Sequence, residues 1–259
     1  MGKFDGILIA SDWDATLHHE SGLNNIDIEK IRYFQKEGGR FTVCTGRALS
    51  HIRHYFDKIK PNTYVITLNG AVIVDADSGE ELYRGHLHKN LVEALDILYL
   101  NNELFYTLHV YFDGDESARE YTKEQYRASR EKFEKEPIHK ILLIADKESK
   151  IKEAKMLLGE YHFPKYMFVS SWPLSLEILA RENGKGYALC RVGEAIGARL
   201  TVGVGDFDND EQMIRMADIG YAVGNATDEL KAIADRITVD VHDGAIAHII
   251  DEIEADVLK

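Results

Sequence analysis

The feature that most constrains this chain is a set of short, largely apolar runs that each stop at a polar cluster. Gly6–Ser11 (GILIAS), Arg40–Thr45 (RFTVCT) and Leu200–Gly205 (LTVGVG) have the length of strands and show no polar alternation. A strand with that pattern is covered on both faces, as in a parallel sheet flanked by helices. Helical spacing alternates with these runs. Residues 25–37 place Ile28, Ile31 and Phe34 on one side and end at Gly38-Gly39. Further helices are predicted from Thr45 to about Asp57 and over 186–196, 211–217, 227–234 and 244–254, with strands over 63–68, 219–223 and 236–239. Asn69-Gly70 signals a hairpin turn into 71–74. Strand–helix alternation of this kind predicts an α/β fold whose core is a doubly wound parallel sheet.

The middle of the chain departs from that rhythm. Helices are predicted over 90–101, 122–136 and 148–161, and strands over 105–112, 138–145, 166–170 and 175–180. The block reads as an α+β unit inserted into a Rossmann-like core. The expected division is residues 1–82 plus 182–259 for the core and 83–181 for an inserted cap domain, with hinges near Gly85 and Gly184.

Charge excludes several roles. Asp and Glu number 44 against 31 Lys and Arg, giving a formal charge of −13 with no basic run to offset it. Such a surface repels nucleic acid and anionic lipid. No apolar stretch approaches the roughly 18 residues of a membrane span. The first residues show no signal-peptide pattern, so a cytoplasmic location is expected. Cys44 and Cys190 are too few for a disulfide framework or a zinc site and read as buried thiols. The oligomeric state is not set by any of these features.

The polar clusters at the strand ends are where chemistry is expected. Asp12 and Asp14 directly follow the first strand, at the end of a doubly wound sheet where ligands bind. Taken alone, the pair is equally a capped turn, and Asp75/Asp77 and Asp113/Asp115, with the same spacing, read as solvated turns. Asp206, Asp208, Asn209 and Asp210 follow another buried strand and suit a hard, oxygen-seeking cation. An EF-hand is excluded, because Glu211 and Ala217 stand where Gly and Glu are required. Thr45-Gly46-Arg47 is expected to open a helix and could hold phosphate there, although taken alone a plain helix cap is the better explanation. Lys185, in Asn183-Gly184-Lys185-Gly186, would by itself be a surface lysine, and the segment is no P-loop. Gly203-x-Gly205 lacks the third glycine of a dinucleotide site.

Taken together, Asp-x-Asp, Thr, Lys and Gly-Asp-x-x-Asn-Asp occur in an order that resembles the haloacid dehalogenase-like superfamily of aspartate-nucleophile phosphatases. Asn69-Gly70-Ala71, Lys185-Gly186 and the tail from Asn225-Ala226 through Lys231 to Asp243-Gly244 are similar to its Cof-type branch. The resemblance spans residues 5–82 and 181–259. It implies a Mg²⁺-dependent phosphatase acting on a small phosphorylated metabolite, such as a sugar phosphate, through an aspartyl-phosphate. Alternatives are a phosphotransferase or phosphomutase with the same intermediate, or a catalytically weak phospholigand-binding protein. By resemblance, Asp12 is the nucleophile and Asp14 the acid and base. The metal is assigned to the Asp12 carboxylate, the Asp14 carbonyl, Asp206 and Asp210, the last directly or in the outer shell. Phosphate contacts fall to Thr45, Gly46, Arg47, Lys185 and Asn209. His109, Tyr111, Trp172 and the 113–119 loop are candidates for substrate contact from the cap, which would close over the site. One position departs from the family: Ala15 stands where glycine is usual. Should φ be positive there, alanine adds about 1–2 kcal/mol of strain.

Overall fold

A computed structural model describes residues 2–115, 117–161 and 163–257. Glu116, part of the 113–119 loop, lies outside the described residues, as do Met1 and residues 258–259 of the expected core. The chain forms two compact units, Met1–Tyr83 with Lys185–Lys259, and Arg84–Gly184.

The first unit begins with strand β1 (Ile7–Ser11), buried at every residue. A small hairpin follows, β2 (His18–His19) with β3 (Gly22–Leu23). Helix α1 (Asn25–Lys36) starts where the Asn24 side chain accepts the Ile26 N–H at 3.0 Å. It stops at Gly38, whose φ of +94° suits glycine. Strand β4 (Arg40–Val43) leads into α2 (Leu49–Ile52) and α3 (Phe56–Ile59). Strands β5 (Tyr64–Thr67), β6 (Val72–Asp75) and β7 (Glu81–Arg84) form a separate three-stranded sheet.

The second unit contains α4 (Leu91–Leu95), β8 (Thr107–Phe112), β9 (Arg119–Tyr121), α5 (Lys123–Lys135), β10 (Ile138–Ile144), α6 (Glu148–Gly159), β11 (Tyr166–Val169) and β12 (Ser175–Ala180). Its sheet runs β11-β12-β10-β8-β9, all antiparallel. Leu95, Tyr126, Phe133, Ile151 and Leu158 from the helices pack on Leu108, Val110, Ile141, Leu143 and Ile178, on one face of that sheet. The alternating residues face the other way, among them a buried Lys140–Glu177 pair at 2.6 Å.

The first unit then resumes with α7 (Lys185–Ile196), β13 (Leu200–Gly205), α8 (Glu211–Met216), β14 (Ile219–Ala222), α9 (Asp228–Lys231), β15 (Arg236–Ile237) and α10 (Ala245–Val257). The order β15-β14-β13-β1-β4 is parallel throughout. Ile9, Phe41, Val202 and Tyr221 from the sheet pack with Ile31 and Phe34 of α1 and Ile246, Ile249 and Ile250 of α10. Leu8, Ala10, Leu189, Val192 and Met213 fill the opposite side. Chain connections leave β1 for β4 on one side and return to β13 on the other, which places the switch point at the carboxyl end of β1.

Three local expectations change. The helix predicted to run to Asp57 is broken into α2 and α3 by a 3₁₀ turn, and it ends at Lys60 (φ +44°) because Pro61 excludes a helical predecessor. Strand β5 pairs with the main sheet at the isolated Cys44–Ile66 bridge and belongs instead to the sheet of β6 and β7. The hairpin after β5 turns through Leu68–Ala71, with Leu68 (φ +51°) and Asn69 (φ +55°) both left-handed, so it is wider than an Asn-Gly two-residue turn.

Candidate active site

The residues assigned to catalysis, metal and phosphate lie in the first unit, at the carboxyl ends of β1, β4 and β13 and, for Lys185, at the start of α7. Asp12 is held at the end of β1 by its N–H, which donates to Val204 O at 2.8 Å. Lys185, the first residue of α7, donates from Nζ to Asp12 Oδ1 and, at 2.6 Å, to Asp210 Oδ1. The Lys185 side chain is fully buried. Two glycines make this approach possible. A Cβ on Gly186 would lie 2.5 Å from Gln212 O, and one on Gly205 would lie 2.4 Å from Asp210 Cβ. Gln212 Oε1 then accepts the N–H of Gly186 at 3.0 Å, fixing the start of α7 on α8.

Asp210 is fully engaged. Its Oδ1 takes Lys185, and its Oδ2 accepts the N–H groups of Asp206 at 3.1 Å and Phe207 at 3.3 Å. Asp206 accepts the Thr16 hydroxyl at 2.9 Å. One oxygen each from Asp12, Asp206 and Asp210 lie within 4.8 Å of one another. Three carboxylates thus gather around one ammonium, which contacts two of them. Burial drives the Asp12 carboxyl well above the usual carboxylate range, against the pull of Lys185 and with the push of Asp210 and Asp206. Burial also pushes Asp206 up to about 7, and Asp210 adds to it. Burial opposes the charge on Lys185, but Asp12 and Asp210 more than reverse that and raise it. The excess of negative charge on hard oxygen donors fits a divalent cation of the Mg²⁺ kind.

Asp14 stands apart from this group. Its carboxylate is half-exposed and takes a two-point contact from Arg47, Nε to Oδ2 at 2.7 Å and Nη2 to Oδ1 at 2.5 Å. The pair borders a cavity of about 360 Å³ lined also by His18, His19, Asn225 and His242. Ala15 has a φ of +57°, the strained alternative for this position. Its N–H donates to His18 O at 2.8 Å and its carbonyl accepts Asn225 Nδ2 at 2.7 Å.

Thr45-Gly46-Arg47 does not open a helix; α2 begins at Leu49, and Ala48 before it offers no side-chain cap. The segment is instead a loop laced to the turn after β5. Thr45 N–H donates to Ile66 O, Asn69 N–H to Thr45 O, and Leu68 N–H to Arg47 O, at 2.9–3.0 Å. Thr45 Oγ1 accepts the Arg47 N–H at 3.1 Å. Asn69 bridges the two halves of the site: its Oδ1 accepts Asn209 Nδ2 at 3.2 Å and would lie 3.1 Å from a Cβ on Gly46. Thr16, Asn225 and Gln212 are positioning contacts that sequence reading assigned no role. Thr16 and Asn225 lie in or beside quoted motifs, whereas nothing around Gln212 marks it.

A family model described as haloacid dehalogenase-like hydrolase matches residues 9–250. The chain belongs to that family. Within it the similarity is to the Cof-type branch. Phosphatase YwpJ of Bacillus subtilis is 32% identical over 285 residues, covering 93% of this chain and 98% of the relative. The 5-amino-6-(5-phospho-D-ribitylamino)uracil phosphatase YcsE of the same organism is 29% identical over 251 residues, covering 93% and 94%. A solved haloacid dehalogenase-like hydrolase from B. subtilis superposes with a TM-score of 0.80 at 24% identity, over 95% of this chain and 99% of that one. At that identity the structural likeness shows the fold, which is the haloacid dehalogenase fold. Among the described residues no helix is long and apolar enough to cross a membrane.

Proposed function

We propose that this hydrolase is a Mg²⁺-dependent phosphatase that removes phosphate from a small phosphorylated metabolite by way of an aspartyl-phosphate on Asp12. The observation that carries this reading is the buried Asp12 carboxylate, contacted by Lys185 and facing Asp206 and Asp210. Lys185 opposes the burial that raises this carboxyl but does not reverse it, so the added positive charge of a bound cation would favour the ionised, nucleophilic form.

Asp12 attacks phosphorus: a bond forms from its carboxylate oxygen, and the ester bond to the leaving oxygen breaks. Asp14 gives that oxygen a proton, which requires Arg47 to release it in the protonated form. Water then attacks the acyl-phosphate while Asp14 takes its proton, and inorganic phosphate leaves with Asp12 regenerated. Lys185 stays protonated and offsets charge on Asp12 and the phosphoryl oxygens. Thr45, the Gly46 N–H and Asn209 line the phosphate position. Asp12, the Asp14 carbonyl and Asp206 would hold a Mg²⁺ ion, which would supply positive charge against the phosphoryl oxygens. Asp210, with both oxygens already engaged, acts behind it. The strain at Ala15 removes no catalytic group, so it lowers stability and leaves the chemistry intact.

The ribityl phosphate in the name of one relative supports a substrate of the sugar- or polyol-phosphate class. The test is a phosphate-release assay on a panel of small phosphomonoesters with Mg²⁺, comparing the native chain with Asp12→Asn. Turnover by the native chain that disappears in the variant supports the reading. Equal turnover in both refutes it, and phosphate found on an acceptor sugar instead of in solution would make the enzyme a transferase.

A further inference from the structure

The second unit contains a cluster that the phosphatase chemistry does not use. Asp113, read from sequence as a solvated turn, instead meets His86, His139 and Arg84. His86 Nε2 lies 2.9 Å from Asp113 Oδ2, and His139 Nε2 lies 3.3 Å from Asp113 Oδ1. Arg84 Nη1 reaches Asp113 Oδ1 at 2.5 Å and His139 Nε2 at 3.2 Å. The two imidazoles stack with centroids 4.8 Å apart.

The tautomer of His139 decides what this cluster can hold. His139 Nδ1 is 2.7 Å from Gly85 O, and a carbonyl only accepts, so Nδ1 carries the proton. The Arg84 Nη1 group 3.2 Å from Nε2 can only donate, so Nε2 accepts and presents a lone pair. That lone pair faces a carboxylate oxygen: two acceptors converge, and only a cation between them reconciles the contact. Arg84 supplies it. An imidazole whose other nitrogen donates to a main-chain carbonyl is also the arrangement that orients metal-ligating histidine. One atom each from His86, Asp113 and His139 lie within 4.8 Å, a mixed nitrogen and oxygen set suited to zinc.

We propose that His86 Nε2, a carboxylate oxygen of Asp113 and His139 Nε2 form a binding site for a divalent transition-metal ion of the zinc class, which exchanges with the Arg84 guanidinium. His139 and Asp113 need no proton change. His86 shifts its proton from Nε2 to Nδ1, leaving the ring neutral. The ligands come from three places in the chain: the segment after β7, the end of β8 and the start of β10. The ion therefore ties the stretch where the chain passes into this unit to two strands of its sheet.

The test is titration of the full chain with zinc alone, Mg²⁺ being present in large excess to occupy the acidic site. Four proteins are compared: native, Arg84→Met, His86→Ala and Asp113→Asn. The native chain should bind one zinc per chain with a rise in Tm. Arg84→Met should bind roughly tenfold tighter, and His86→Ala and Asp113→Asn at least about tenfold more weakly. Cobalt in place of zinc should give d–d bands of a histidine-ligated ion, lost in His86→Ala. The His86 side chain is one-third exposed, so this variant keeps the fold, and circular dichroism checks it. No binding by either the native chain or Arg84→Met overturns the proposal. So does binding that neither His86→Ala nor Asp113→Asn weakens, because the ion would then sit elsewhere, as at His19, Glu20 and His242.

Discussion

Replacing Ala15 by glycine should make the protein more stable, contrary to what an alanine-to-glycine change usually does. The φ of +57° puts the Ala15 Cβ against its own carbonyl, a cost of about 1–2 kcal/mol for an L residue. Glycine removes that cost but gives the unfolded chain more freedom, which returns about 0.5–1 kcal/mol. The net gain lies between about 0 and 1.5 kcal/mol, with a middle value of about 0.75 kcal/mol. The conformation itself should not relax, because the hydrogen bonds to His18 O and from Asn225 Nδ2 hold both ends of the residue. The assay is urea unfolding of the native chain, Ala15→Gly and Ala232→Gly. Ala232 is exposed with a φ of −67°, so its change to glycine should destabilise by about 0.5–1 kcal/mol. The two variants should thus move the midpoint in opposite directions at an unchanged slope. If Ala15→Gly falls on the same side as Ala232→Gly, the strain argument is wrong.

Three other outcomes are expected. Lys185→Met leaves Asp12 and Asp210 buried without their ammonium and should lower kcat by about 10²–10³; activity close to native would show that Lys185 serves packing alone. Treatment with EDTA should abolish phosphate release and added Mg²⁺ restore it; full activity in the chelator would exclude a required metal. Asp27, buried in α1 with its Oδ1 accepting the Ala247 N–H at 2.7 Å, has its carboxyl pushed up by burial to about 6 from 3.8. The folded state then binds this proton more tightly than the unfolded chain. The stability it contributes is full below the unfolded value and lost as pH rises through about 6, a change of about 3 kcal/mol. Denaturant melts from about pH 4 to pH 7 should show the native chain losing that much relative to Asp27→Asn; parallel curves would contradict it.

The parallel core was legible because its strands are largely buried on both faces and so carry few polar residues until they end. Ile7–Ser11 is buried throughout and Leu200–Gly205 over its last four residues, and the polar segments that follow them are where the carboxylates converge. What the sequence did not reveal depends on contacts across long separations. The Thr45–Arg47 segment reads as a helix start, yet its backbone partners are in the turn after β5, some twenty residues on. Arg47 reads as a phosphate ligand, and only the folded chain shows it clasping Asp14. Asp210 has the same residue type as Asp206, but its neighbours Lys185, Asp206 N–H and Phe207 N–H consume both oxygens. Asp113 looks like a turn residue until His86 and His139, from separate elements, are placed around it. In each case the local pattern names a residue type correctly suited to its position, while the partner that sets its role comes from elsewhere in the chain.

The central claim is that Asp12 receives the phosphoryl group. The direct measurement is to mix enzyme, Mg²⁺ and a turned-over phosphomonoester, quench in acid during the first turnover, reduce with borohydride and map the peptides by mass spectrometry. Reduction of an acyl-phosphate converts the aspartate to homoserine, and the account predicts that product at residue 12. Homoserine at another aspartate, or none while phosphate is still being released, would contradict it.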